Sequence, residues 1–295
     1  MSSKRDSSGA NFTPTIHSDT YPFIDPTQFN LSNTAVFITG ASKGCGRSTA
    51  LSYARAGCSH IALGARSSMK DLEPELLAAA KEAGKEPPHI LLLELDVTSE
   101  SNVAAAAKEI SSEFGRLDIL INNAGYASPF VSVMEENVDS WWRTWEVNIK
   151  GPFLLTQSFI PLLLSTASGL KTIINVSSIG AHYSGPGSAY KLSKLALLRF
   201  GEMIAAEHER EGVVCFGIHP GAVPTELASN LPENMRHKLQ DSPELTGNSL
   251  VWLSKEKRAW LNGRYVSCTW DMEELEKMRA EIEDGNLLKV RMDVE

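Results

Sequence analysis

The chain has 295 residues, 42% of them hydrophobic and 22% charged, with a formal net charge of −8; this suits one large α/β domain or two small ones. An acidic balance of this kind gives no general attraction to nucleic acid or to anionic membrane. No apolar run approaches the roughly 20 residues a membrane helix needs, and the four cysteines, Cys45, Cys58, Cys215 and Cys268, show neither C-x-x-C nor metal-ligand spacing.

In chain order, residues 1–33 are polar, carry Pro14, Pro22 and Pro26, and read as an arm whose first dozen or so residues are disordered. It lacks the apolar stretch of a signal peptide. With thiols that read as reduced, a soluble cytoplasmic protein without a metal is expected. Within the arm, Tyr21-Pro22-Phe23-Ile24 is apolar enough to dock on a core. Short β-branched or aliphatic runs then recur at 35–39, 60–64, 90–95, 119–122, 172–177, 213–219 and 264–268. Stretches rich in Ala, Leu, Glu and Lys separate them. This alternation predicts an α/β fold, a parallel sheet with helices on both faces, over 34–270. In 271–295, Asp271 and Glu274 form a capping-box pattern ahead of an apolar stripe of Leu275, Met278 and Ile282. That predicts a C-terminal helix and tail packed on the core or on a second subunit. The run 287–290 has the composition of an edge strand.

The first run leads into Thr39-Gly40-Ala41-Ser42-Lys43-Gly44-Cys45-Gly46, followed by a predicted helix over 47–56. Strand before and helix after give a glycine-rich turn its meaning. Gly40 permits the tight turn, Gly44 lets the backbone approach a pyrophosphate, and Gly46 lets the helix pack close to the strand. The helix N-terminus adds unpaired N–H groups and partial positive charge. Ser42, Lys43 and Cys45 complete this dinucleotide cradle, Cys45 as a structural residue rather than a redox thiol. After the second run comes Ala65-Arg66. NAD-preferring proteins place an acid at the position of Ala65 to bond the ribose 2′-OH. With no acid there, Arg66 suits bidentate binding of a 2′-phosphate, with Lys43 as a second cation. NADP(H) is therefore the expected cofactor; the alternative is that both are solvated surface charges.

Tyr190 and Lys194 stand four residues apart in Ala-Tyr-Lys-Leu-Ser-Lys and would share one helix face. A free phenol has a pKa of about 10. A cation about 4 Å away interacts by roughly 4 kcal/mol, against about 1.4 kcal/mol per pKa unit. Lys194 is therefore expected to lower the phenol into the range of proton exchange near neutrality. Taken alone, the pair also reads as a packed aromatic beside a solvated lysine. Trp141 and Trp145 share a face of the helix leading to Asn148 and suit core or subunit contact. Tyr126 and Phe130 suit an apolar pocket. His182 and Tyr183 belong either to a pocket mouth or to an ordinary loop, and His219 reads as packing.

The turn, Asn122-Asn123-Ala124-Gly125, Tyr190-x-x-x-Lys194 and Pro220-Gly221-Ala222-Val223-Pro224-Thr225 together resemble the short-chain dehydrogenase/reductase family, over about residues 34–226. The segments Trp-Asp-Met-Glu-Glu-Leu and Gly-Arg-Tyr-Val-Ser look like its fungal members. The resemblance implies a Rossmann-type, doubly wound sheet of seven parallel strands and a nicotinamide cofactor. It implies Tyr190 as proton donor or acceptor and Lys194 on the nicotinamide ribose. Ser178 would bond the substrate oxygen, and Asn148 would hold a water in a proton relay ending at Lys194. Asp96 and Val97 would meet the adenine, Asn123, Ala124 and Gly125 the adenosine ribose, and Val223 and Thr225 the carboxamide. Ser178 precedes Tyr190 by twelve residues where many relatives have thirteen, the count of Ser177. Both serines stay candidates, with Ser178 favoured as the second of the strand-end pair. The stretch 226–245 is where this fold carries a substrate lid, and its Leu227, Leu231 and Met235 point to a hydrophobic substrate. The usual V-D-G-G-like ending after the last strand is missing, so the substrate pocket departs from the family there. A small-molecule ketone reductase using NADPH is the expected function, with a homodimer or homotetramer implied by the family. NAD-linked alcohol oxidation and a non-catalytic dinucleotide-binding protein are the alternatives.

Overall fold

The computed structural model describes residues 7–292. Its centre is a sheet of β1 (Ala35–Thr39), β2 (His60–Ala65), β3 (His89–Glu94), β4 (Ile119–Asn122), β5 (Thr172–Val176), β6 (Val214–His219) and β7 (Tyr265–Ser267). The strands run in the order β3-β2-β1-β4-β5-β6-β7, with every pairing parallel. This is the seven-stranded, doubly wound arrangement that the alternation and the resemblance predict. Every residue of β1, β4, β5 and β6 is buried, which is why these strands read as continuous apolar runs. The winding direction reverses between β1 and β4, and that switch point opens a crevice at the carboxyl ends of the strands.

The connecting helices are α1 (Gly44–Arg55), α2 (Leu72–Glu82), α3 (Glu100–Phe114), α4 (Val138–Trp145), α5 (Gly151–Ser165), α6 (Ser188–Glu207), α7 (Glu233–Arg236), α8 (Pro243–Ser254), α9 (Met272–Lys277) and α10 (Arg279–Asp284). One core joins Tyr53 of α1, Leu76 of α2 and Trp252 of α8 to Val36, Ile38 and Ile174. The other joins Ile110 of α3, Phe159 of α5 and Ile204 of α6 to Phe37, Leu120 and Ile173. Neighbouring strand residues thus serve opposite faces, as the pleat requires. A π-helical turn (Glu146–Lys150) fuses α4 to α5. The fused run, Val138–Ser165, has 28 residues and by length and composition alone could cross a membrane, a length of apolar helix that the sequence reading missed. Half of its most apolar window is buried inside the protein, against α3 and α6.

Three expectations change. The arm was expected to be disordered through about residue 12; residues 1–6 lie outside the described residues, but 7–12 are seated on the fold. Ser8 is 3% and Phe12 7% exposed, with the Phe12 ring 5.0 Å from Trp270. Burial of that aromatic offsets the entropy of ordering the segment. Further along, Ile24 is buried and Phe23 packs 5.8 Å from Trp252. The C-terminal helix is two helices. Asp271 caps α9 by accepting from the Glu274 N–H, but the turn tightens at Met278, whose N–H is shared by the Glu274 and Leu275 carbonyls. The apolar stripe still faces this chain's own core. Residues 287–290 form no strand. Asn286 and Leu288 are left-handed, with φ of 47° and 63°, so the chain cannot stay extended and contributes one backbone bond to β7, from Tyr265 N to Leu288 O at 2.8 Å.

Candidate active site

The turn after β1 is laced to the segment after β4 across the switch point. Asn123 Nδ2 donates to Thr39 O at 2.7 Å, and Thr39 Oγ1 accepts from the N–H groups of Asn123 and Ala124, each at 3.1 Å. Gly40 turns at φ +66° and Gly44 at +56°, where α1 begins. A Cβ at Gly46 would lie 2.4 Å from the Gly40 carbonyl oxygen and 2.5 Å from Asn123 Nδ2. Neither can retreat, since one is backbone and the other is pinned. We therefore expect Gly46→Ala to lower Tm by several degrees and weaken dinucleotide binding about tenfold or more, as overpacking of about 1–3 kcal/mol pushes the turn open. Calorimetry and fluorescence titration check both.

The N-terminus of α1 opens on a cleft of about 410 Å³. Its walls are the turn residues Gly40 and Ser42, Lys43, Gly44, Cys45 and Gly46; Arg66 beyond β2; Asp96 and Val97 beyond β3; Asn123, Ala124 and Gly125 beyond β4; Tyr190 and Lys194 of α6; and Thr225. These predicted positions thus meet in one groove. A glycine-rich turn, helix N–H groups and a cationic rim of Lys43, Arg66 and Arg143 fit an extended dinucleotide diphosphate. Three predicted residues do not line the cleft: Val223, buried at 6% exposure with the adjoining Pro224 and Thr225 bordering the cleft instead, and Asn148 and Ser178, whereas the other candidate serine, Ser177, borders it. Burial pushes the Cys45 thiol up, so it is an inert wall rather than a redox group. Lys43 ion-pairs with Glu226, both side chains well exposed, whereas Arg66 forms no ion pair among the described residues. Arg143 and Glu226 were missed in the sequence. Arg143 reaches Asp96 at 3.5 Å and Thr98 Oγ1 at 3.2 Å, and no spacing motif marks either residue. Among the described residues no group of three or more His, Cys, Asp or Glu could hold a metal ion.

At the inner end, Tyr190 is the third residue of α6, and the Ser178 side chain lies close enough to pull its phenol pKa down. Ser178 Oγ in turn accepts from Gly180 N at 3.0 Å. The two candidate serines separate here: Ser177 is 1% exposed and donates to the Lys194 carbonyl at 2.8 Å. Lys194 Nζ donates to Val176 O at 2.8 Å and lies 5.6 Å from the Tyr190 ring centroid. The expected lowering of the phenol is not what this arrangement produces. Burial pushes Tyr190 up to about 12, against the pull of Ser178, and burial pushes Lys194 down to about 8. Lys194 is buried and Tyr190 half-buried, and desolvation favours each neutral form.

Asn148 sits in the π-helical turn, a common feature of functional sites. Its Oδ1 accepts from Tyr126 N, and its Nδ2 donates to Tyr126 O and Ser193 Oγ, at 2.9, 2.9 and 3.0 Å. It therefore pins the loop after β4 to α6. A Cβ at Gly125 would lie 3.7 Å from both Asn148 Oδ1 and Lys194 Nζ, so the glycine keeps the space between them open. Phe130 packs 5.6 Å from the Tyr190 ring, in the space a Gly187 side chain would fill. Trp141 stacks on Trp145 at 5.5 Å and donates to Ser188 Oγ at 3.0 Å, a half-buried contact at the first turn of α6. His219 is 7% exposed and held neutral by burial, down to about 3, and His182 is lowered for the same reason.

Comparison with known proteins follows this geometry. Residues 34–236 match the family described as short chain dehydrogenase. The chain is 51% identical over 287 residues to short chain dehydrogenase mpl6 of Monascus purpureus, covering 97% of this chain and 98% of the relative. Among solved structures, a short-chain type dehydrogenase/reductase from Mycobacterium ulcerans superposes with a TM-score of 0.72 at 20% identity, over 81% of this chain and 89% of that one. Carveol dehydrogenase from Mycobacterium avium in complex with NAD gives 0.69 at 18% identity, over 81% and 97%.

Proposed function

Because the chain belongs to the short chain dehydrogenase family of oxidoreductases, we propose that it is an NADP(H)-dependent reductase converting a hydrophobic ketone to a secondary alcohol. The observation that carries this reading is Tyr190 with the buried Lys194 ammonium 5.6 Å from its ring, both lining the inner end of a cleft that fits a dinucleotide. Bound there, the reduced nicotinamide supplies the hydride. The hydroxyls of Ser178 and Tyr190 hold the carbonyl oxygen, and Tyr190 gives its proton to that oxygen as negative charge develops on it. A phenol pushed up to about 12 stays loaded with its proton throughout the physiological range, which suits a donor better than a base. Lys194, when cationic, balances the charge left on the phenol and holds the ribose hydroxyls. Asn148 and Lys194 flank the space beside Gly125, and there they hold the water that returns a proton to the lysine. Fixed donors and a held substrate supply orientation and charge stabilisation in place of solvent. Arg66 and Lys43 take the 2′-phosphate, and Leu227 gives the lid an apolar inner wall. The test is initial rates with NADPH and NADH across aromatic and aliphatic ketones; tight NADPH binding without any turnover would sink the reading.

One observation favours an NAD-linked variant of the same chemistry: Glu226 already occupies Lys43, which leaves Arg66 as the main anchor for a 2′-phosphate. The same rate comparison separates the two.

The pH dependence follows from Lys194. Its cation exists below about 8 and is lost above it. NADPH-driven kcat/KM, which reports the free enzyme, should therefore be level at lower pH and fall as pH rises through about 8, with Tyr190 adding no break in that window. A profile that is flat through pH 8 would count against a charged Lys194 in the reaction.

A further inference from the structure

The loops after β5 and β6 bring Ser177, Pro220, Pro224 and Thr225 to the cleft, and the N-terminal arm ties these two loops to the one after β7. Tyr183, after β5, donates its hydroxyl proton to Ser8 Oγ at 3.2 Å. After β7, Trp270 Nε1 donates to Gly9 O at 2.9 Å, and His17 N donates to Thr269 O at 2.7 Å. At the end of the loop after β6, Ser242 donates through its N–H to Ser18 O at 2.8 Å and through its hydroxyl to Asp19 Oδ1 at 2.6 Å. The seating is specific. Gly9 adopts φ +74°, and its missing Cβ would lie 3.4 Å from the Trp270 ring, a backbone shape that other residues rarely take.

Tyr183 is the point where this strap meets the chemistry. Its N–H donates to Gly180 O at 3.2 Å, closing the short helical turn whose first residue is capped by Ser178. The Gly180 Cβ position is 3.2 Å from Ser178 Oγ and 3.9 Å from the Tyr190 ring. One turn therefore carries both the Ser178 hydroxyl and the Tyr183 ring. That ring is 45% exposed while its polar end is held by the arm. An aromatic ring fixed at one end and open on its face is a flat, apolar platform.

We propose that Tyr183 is a specificity-determining residue that stacks against a flat aromatic portion of the ketone, and that Ser8 of the N-terminal arm is its positioning residue. This rests on the ketone-reductase reading. It assigns the substrate class: aryl ketones ahead of small aliphatic ones.

The test uses the full chain with NADPH, and 1-tetralone and 2-butanone as probes. Tyr183→Ala should raise KM for tetralone about tenfold more than KM for butanone, the size expected for losing an aromatic contact. Ser8→Ala and Tyr183→Phe should each raise it about threefold. The double variant should do no worse than either single one, since both remove the same hydrogen bond. The dissociation constant for NADPH, read by fluorescence, should not move. Should Tyr183→Ala fold poorly, the Ser8→Ala and Tyr183→Phe pair still decides the matter. Equal effects on both ketones, additive singles or a shifted NADPH constant would overturn the inference while leaving ketone reduction intact. An unaltered enzyme that reduces neither probe would overturn the reductase reading and this inference with it.

Discussion

Tyr190→Phe should lower kcat for carbonyl reduction by about three orders of magnitude, within the range of about 10²–10⁴ typical for loss of a positioned acid. The effect should fall on turnover and not on binding. Phenylalanine keeps the ring that packs at 5.6 Å from Phe130, and every other cleft wall that meets the dinucleotide is unchanged. NADPH affinity should stay within about twofold. Stability should drop by no more than about 1 kcal/mol, the net worth of one hydrogen bond. Ser178 alone still polarises a carbonyl but has no comparable proton to give, since an aliphatic hydroxyl is a far weaker acid than a phenol. Single-turnover kinetics, cofactor titration and thermal melting separate these quantities. A variant that kept kcat within tenfold of the parent would remove Tyr190 from the chemistry.

The parts of this protein legible from sequence are those written in contiguous residues. Buried parallel strands must be apolar on both faces, so β1, β4 and β6 announce themselves to within a residue. The glycine turn is equally local: strand, tight turn and helix follow one another, and the groove forms where they predict. What was illegible depends on partners far away in sequence. Nothing in residues 7–20 says that Trp270 or Ser242 will receive them. Lys43 reads as a cation for phosphate until folding brings Glu226 beside it. Tyr190 and Lys194 read as a charge-coupled pair because spacing reports only that they share a face. Burial, which spacing does not report, is the larger effect on both. The run 287–290 has strand composition, yet left-handed residues at 286 and 288 decide its path, and neither is a glycine that would have flagged them.

Arg66→Ala should reduce kcat/KM for NADPH about 10–100-fold and leave kcat/KM for NADH nearly unchanged. Charge-assisted hydrogen bonds are worth about 1.5–3 kcal/mol each, and every 1.4 kcal/mol is about tenfold in affinity. Ala65 places no carboxylate at the end of β2, so nothing there opposes a 2′-phosphate, and Arg66 borders the cleft within reach of solvent. Arg66→Asp should go further and reverse the preference, since a carboxylate there repels phosphate and accepts from a ribose hydroxyl. Glu226 supplies the opposing arm of the test. Its side chain is 72% exposed and that of Lys43 60%, so their pair is weak and easily screened. A phosphate can therefore displace the carboxylate, and Glu226→Gln should tighten NADPH binding a few-fold without affecting NADH. Raising salt should weaken NADPH binding in the parent more than in Arg66→Ala. If both coenzymes responded alike to Arg66→Ala, the guanidinium would be a surface charge and the NADP preference would fall, with the proton chemistry at Tyr190 left standing.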